Sequence, residues 1–220
     1  MRKIHTILLL TLTFFLLTMS AAAQKAPVQD YFPLRVGDSW TYRTVPEPSE
    51  FTIKVLSEEK QADGTIVYLL ERKAGSLVHT WYSKANGWVN ILREAYPEHE
   101  GLKMEHEKPK QILKIPLVSG AQWTWTGKST TQMEMTERYK VIGVERVVVP
   151  AGTFRAVKVE TKIAEGVAML VRNFWYAEGV GLVKSWSAAG AIDYGYELID
   201  YSFKRATPAK KPASRGRRSR

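Results

Sequence analysis

The 220-residue chain contains no cysteine. Disulfide staples, thiolate metal sites, thiol catalysis and redox exchange are therefore excluded, and so is lipid attachment through a cysteine. Helical periodicity is missing as well. Residues 92–108 hold the nearest approach to an amphipathic helix, and Pro97, Gly101 and Pro109 interrupt it. No Gly-x-Ser-x-Gly elbow occurs, which removes the serine-hydrolase frame. Gly120 to Lys128 lacks the frame of a phosphate loop. Gly179-x-Gly181 precedes a strand pattern and not a helix, so it is no dinucleotide fingerprint. Beyond the N-terminus no apolar run is long enough to span a bilayer.

Net charge is missing from the middle of the chain, although the whole carries +10. Arg2 and Lys3 supply two bases. Lys204, Arg205, Lys210, Lys211, Arg215, Arg217, Arg218 and Arg220 supply eight more, and neither end holds an acid. Setting those ten aside leaves 22 bases against 22 acids. The folded part has no basic field of the kind that draws nucleic acid, and no specific nucleic-acid partner is expected. Residues 204–220 read as a disordered tail able to lie on anionic surfaces.

At the other end, Arg2 and Lys3 precede the apolar run Ile7–Leu17 and the small residues Ala21-Ala22-Ala23. Residues 1–23 read as a signal peptide. The expectation is an exported protein, periplasmic or extracellular, soluble and not a lipoprotein, with one β domain over 24–203.

What is present has a period of two. Phe51-Thr52-Ile53-Lys54-Val55 and Ala156–Ile163 alternate apolar and polar residues, the pattern of half-buried strands. Turn signals recur every eight to twelve or so residues: Ala62-Asp63-Gly64, Ala74-Gly75, Ala85-Asn86-Gly87, Pro150-Ala151-Gly152, Ala164-Glu165-Gly166, Ala177-Glu178-Gly179 and Ala188-Ala189-Gly190. This spacing predicts an all-β fold, a curved antiparallel sheet closed as an open barrel or sandwich. At Val149 the mechanism is specific. Pro150 presets the first turn position, Gly152 accepts a positive φ, and Phe154 turns inward.

Two phrases repeat in the same order. Pro33-Leu34-x-x-Gly37-x-x-Trp40-Thr41-Tyr42 returns 83 residues later as Pro116-Leu117-x-x-Gly120-x-x-Trp123-Thr124-Trp125. Trp81-Tyr82-x4-Gly87-Trp88-Val89 returns 94 residues later as Trp175-Tyr176-x4-Gly181-Leu182-Val183. The sheet is thus built from two divergent copies of one β unit, about 31–93 and about 113–201, joined by a linker at 94–112. In each copy the glycine makes a turn, and the Trp and the aromatic two residues on share one face.

The phrases Tyr31-Phe32-Pro33-Leu34-x-x-Gly37-x-x-Trp40-x-Tyr42, Pro150-Ala151-Gly152-Thr153-Phe154 and Gly179-Val180-Gly181-Leu182-Val183 resemble those of a family of exported bacterial proteins of unknown function. The resemblance spans nearly all of 30–201. It implies an all-β curved sheet loosely similar to periplasmic lipoprotein-carrier folds. It brings no catalytic residues.

Residue chemistry leaves a short set of sites. Trp81, Trp88, Trp125, Trp175 and Trp186 can line a groove for a lipid or other apolar ligand, or equally fill a core and pin strand register. Glu98-His99-Glu100 and Glu105-His106-Glu107 hold metal-ligating types, and a hairpin around Gly101 would bring His99 and His106 together. Glu71, Glu160 and Glu197 lie on strand-like segments, where an inward pair would serve a glycan hydrolase. The reading favoured by the residues is a non-enzymatic domain without a cofactor that binds an apolar ligand or an envelope protein. A filled-core interaction module is the alternative.

Overall fold

Twelve strands account for most of the described residues, and each consecutive pair within a half is antiparallel. The computed structural model describes residues 29–99, 102–129, 132–189 and 192–203. The signal-like segment 1–23, the tail 204–220, Gly101 and Gly190 lie outside them. The first half is β1 (Ser39–Val45), β2 (Glu50–Lys60), β3 (Ile66–Ala74), β4 (Ser76–Ala85), β5 (Trp88–Ala95) and β6 (Lys103–Lys114). The second is β7 (Gln122–Lys128), β8 (Glu134–Val149), β9 (Gly152–Glu165), β10 (Ala168–Ala177), β11 (Gly181–Ala189) and β12 (Ile192–Ser202). No helix occurs among the described residues.

The turn residues do what their chemistry requires. Gly75 alone separates β3 from β4, and Asn86-Gly87 separates β4 from β5, both with positive φ (52° and 76°) as a tight hairpin demands. Pro150-Ala151 joins β8 to β9 with Gly152 at φ 140°. Phe154 is half-buried against the core, and Ala151 N–H donates to the Leu198 carbonyl at 3.0 Å, tying the hairpin tip to β12.

The sheet order is β6-β5-β4-β3-β2-β1-β12-β11-β10-β9-β8-β7. Each half is a six-stranded meander, and the halves join where Ser39–Val45 pairs with Gly195–Ser202. The sheet curls until β6 and β7 face each other across a seam without a ladder, giving a nearly closed barrel.

The duplication is visible in the backbone. Gly37 N–H donates to Val55 C=O, and Val55 N–H to Asp38 C=O. Gly120 N–H donates to Val141 C=O, and Val141 N–H to Ala121 C=O. The Pro-Leu-x-x-Gly turn of each half therefore hooks the second strand of that half in the same way. The bulges match too: Val55/Ser57 with Val141/Gly143, and Trp81/Tyr82 with Trp175/Tyr176. Val55, Val141, Val89 and Val183, at equivalent places, are fully buried.

One expectation changes. Residues 94–112, read as a linker, belong to the sheet: they hold the end of β5 and most of β6. The alternation that marks a strand is scrambled there for a physical reason. Between Arg93↔Glu105 and Ile91↔Lys110 the register slips by several residues, and Pro109, which cannot donate to a ladder, sits in the strand. Both features are tolerated because β6 is an edge.

Candidate functional site

Residues 29–34 cross one end of the barrel before β1 begins. Gly179 N–H donates to Asp30 C=O at 2.7 Å. The Lys84 ammonium donates to Asp30 Oδ1 at 2.7 Å and to Phe32 C=O at 2.8 Å. Tyr31 and Leu34 are buried. The Trp40 indole donates to Val180 C=O at 2.7 Å, and the Tyr42 hydroxyl to Leu182 C=O at 2.9 Å. A Cβ on Gly181, whose φ is 94°, would lie 3.3 Å from Pro33 Cδ. The Phe-Pro-Leu and Gly-Val-Gly-Leu phrases thus meet as the floor of the barrel, and the close approach of Pro33 explains the glycine at 181.

Above this floor is a cavity of about 340 Å³. Phe32, Trp40, Tyr42, Tyr82, Tyr139, Phe174, Tyr176 and Tyr196 place eight aromatic rings on its wall, with Leu34, Ile53, Leu70, Val78, Ile91, Ile112, Ile163 and Leu182 between them. Tyr42 stacks on Phe51, and Tyr196 meets both edge-on. Burial pushes the hydroxyls of Tyr42, Tyr82, Tyr176 and Tyr196 above the ordinary tyrosine range. They stay protonated and act as neutral donors in an apolar lumen.

Toward the other end the wall turns polar. Pairing places Trp123, Tyr139, Thr161, Arg172, Ser187 and Tyr194 side by side across β7 to β12. Arg172 Nε donates to Ser187 Oγ at 2.8 Å and its Nη2 to the Tyr194 hydroxyl at 3.2 Å. Opposite, β3, β5 and β6 contribute Arg72, Glu94 and Lys110. Lys110 bridges the seam to Glu137 of β8 at 2.7 Å, both side chains being largely buried. The Tyr139 hydroxyl donates to the same carboxylate. Burial raises the Glu94 carboxyl above its ordinary range, against the pull of Lys110 and Arg72. Thr161 is 1% exposed, and its Oγ1 has no hydrogen-bond partner.

Of the five tryptophans named from the sequence, none lines this cavity. Trp81 lies between Thr80 and Tyr82, Trp175 between Phe174 and Tyr176, and Trp186 between Ser185 and Ser187, so strand alternation turns them to the side away from the lumen, where Trp175 is buried in a core cluster and Trp186 packs against it. There Arg93 covers Trp81 at 4.1 Å, Lys158 covers Trp175 at 5.1 Å, and Trp175 donates to Glu145 Oε2 at 2.8 Å. Trp88 and Trp125 line a second, more open groove of about 610 Å³ beside the seam. Trp123 stacks on Tyr139, and Trp88 meets Trp123 edge-on.

The glutamates follow the same rule. Glu71, between Leu70 and Arg72, faces outward onto His79 and Lys73. Glu160 lies near Lys162 at 3.8 Å, and Glu197 holds Lys184 at 2.7 Å. The carboxylates that do share the lumen are Glu94 and Glu137. His99 is exposed in the β5–β6 connection. His106 is half-buried edge-on against Trp125, with Nε2 unpartnered. No group of three metal-ligating side chains comes together among the described residues.

Sequence reasoning missed the lumen tyrosines, the two arginines and Thr161. A signal existed: Thr161 and Arg172 are polar residues at inward positions of otherwise alternating strands, opposite each other in the ladder. Finding it required the register.

Residues 96–188 match the model of the DUF3108-like family. No curated protein matches the chain. Two solved structures share the fold. One is from Parabacteroides distasonis and is named as a candidate lipoprotein. The other is from Bacteroides fragilis and is named as a candidate exported protein with a YmcC-like fold. Each is 13% identical, covers 80% of this chain and all of its own, and superimposes with a TM-score of 0.52.

Proposed function

We propose that this domain is a non-enzymatic carrier that takes the apolar part of a small ligand into the lumen of its barrel. The observation that supports it best is the cavity, about 340 Å³ and walled by eight aromatic rings. That volume falls in the range of small-ligand pockets, roughly 300–1,000 Å³, and mixes apolar wall with a few polar groups as such pockets do. A floor held by five hydrogen bonds gives the ligand one closed end.

We place the protein in the cell envelope. The signal-like N-terminus and the names of the two fold relatives support this. Anchoring by a lipidated cysteine is not open to these 220 residues, which contain none. The partner would then be an apolar small molecule, or an envelope protein that hands one over.

Native mass spectrometry of protein purified from its own envelope tests the reading. The expected result is a bound species of small-molecule mass released on denaturation. A single ligand-free mass, together with no binding of the uncharged dye N-phenyl-1-naphthylamine, would exclude it.

A further inference from the structure

Resting on that reading, we propose that the ligand is a single-chain amphiphile with an anionic head, a carboxylate or phosphate, held by Arg172, Arg72 and the Thr161 hydroxyl while its chain runs to the Leu34–Trp40 floor.

The argument begins with charge. The lumen holds three cations, Arg72, Lys110 and Arg172, and two carboxylates, Glu94 and Glu137. Lys110 and Glu137 neutralise each other at 2.7 Å. No carboxylate among the described residues lies within ion-pair distance of Arg72 or Arg172. Arg172 is steered instead by two neutral hydroxyls, Ser187 and Tyr194, which use two of its five donors and leave its charge uncompensated. Glu94 is the one carboxylate left to oppose the guanidinium pair, and its burial works against its ionisation. Arg172 is half-buried and Arg72 exposed; two guanidinium groups without a counter-ion on the wall of an apolar lumen favour an anionic guest.

Thr161 is the second, independent observation. It lies on the lumen wall between Tyr139 and Arg172 in the cross-strand row. It is 1% exposed, and its hydroxyl has no partner. A buried hydroxyl left unpaired carries a desolvation penalty that nothing in the fold offsets. An anion beside Arg172 would accept from it.

The layout along the barrel fits the same ligand. The charged groups sit at one end and the sealed floor of Phe32, Leu34 and Trp40 at the other, with aromatic wall between. The cavity volume is near the lower limit for ligand pockets, which suits one chain and not two.

The test displaces N-phenyl-1-naphthylamine from the full chain with dodecanoate, dodecyl phosphate, dodecanol and dodecylamine, each below its micelle concentration. Dodecanoate or dodecyl phosphate is expected to compete at a concentration about tenfold or more below dodecanol, with dodecylamine the weakest. Whichever anion competes better identifies the head. Arg172→Gln should erase that preference while dodecanol binding persists, and Arg172→Lys should restore part of it. Should Arg172→Gln fail to fold, Thr161→Val serves in its place: it should weaken the anion about fivefold or more without lowering the melting temperature, since it removes an unpaired hydroxyl. Equal competition by dodecanol and dodecanoate would overturn the anionic head and leave the carrier reading standing. No binding of the dye or of any chain would overturn both.

Discussion

The indole N–H of Trp123, on β7, donates to the backbone carbonyl of Gln111, on β6, at 2.9 Å. These strands end the sheet order and share no ladder, so this bond, with Lys110–Glu137, spans a seam that the backbone leaves open. By the internal duplication β6–β7 is the counterpart of β12–β1, which is zipped by a full antiparallel ladder. Trp123→Phe retains an aromatic ring against Tyr139 but deletes the donor together with part of the buried indole. It should cost about 1–2 kcal/mol and speed amide exchange in 103–114 and 122–128. Trp175→Phe, which loses a bond to the Glu145 carboxylate away from the lumen, should leave exchange at the seam unchanged.

His106 makes the seam sensitive to pH. Burial and the nearby Lys110 hold its imidazole below the ordinary range, and Glu137 only partly opposes them. A depressed basic group stabilises the fold above its unfolded value, about 6.5, and that contribution is lost as pH falls through the folded value. Amide exchange in β6 should therefore quicken between about pH 7 and about pH 5. His106→Phe should flatten that dependence; an unchanged pH profile in the variant would remove His106 from the account.

Glu94 acts in the opposite sense. Its carboxyl is raised by burial, with Lys110 and Arg72 pulling it down and Glu137 pushing it up. Ionisation is therefore worse tolerated folded than unfolded, and stability from this group falls as pH rises through the folded value. Glu94→Gln should raise the melting temperature at about pH 8, with the gain vanishing below about pH 4, where the unfolded carboxyl is protonated too. Thermal melts at the two pH values would show it.

Glycines separate strain from crowding. Gly64 (φ 87°) has nothing within 4 Å of where a Cβ would stand, whereas Gly87 (φ 76°) would place one 2.9 Å from the Ile115 carbonyl oxygen. Gly64→Ala should cost about 1–2 kcal/mol, the price of positive φ alone. Gly87→Ala must also move backbone and should cost at least about 1 kcal/mol more. Urea melts of the pair would read the difference.

The fold was legible because period-two segments and glycine turns are local. Asn86-Gly87 and Pro150-Ala151-Gly152 state their hairpins within a few residues, and the doubled Pro-Leu-x-x-Gly phrase states the two halves. The site was less legible. Tryptophan drew attention by size, but which face it takes depends on parity and bulges, and Trp81, Trp175 and Trp186 alternate away from the lumen. Tyr82 and Tyr176, their immediate neighbours, are the lumen residues. Arg172 and Thr161 gain meaning only from being opposite each other in the β9–β10 ladder, a relation that composition does not contain. The register slip around Pro109 hid β6 for the same reason.

Anomalous diffraction from crystals grown with ω-bromododecanoate tests the central claim most directly. The account predicts one bromine peak inside the barrel, near Leu34, Trp40 and Tyr176, with the carboxylate at Arg172. Bromine found only on the outer face, or in the groove beside Trp88 and Trp125, would contradict it.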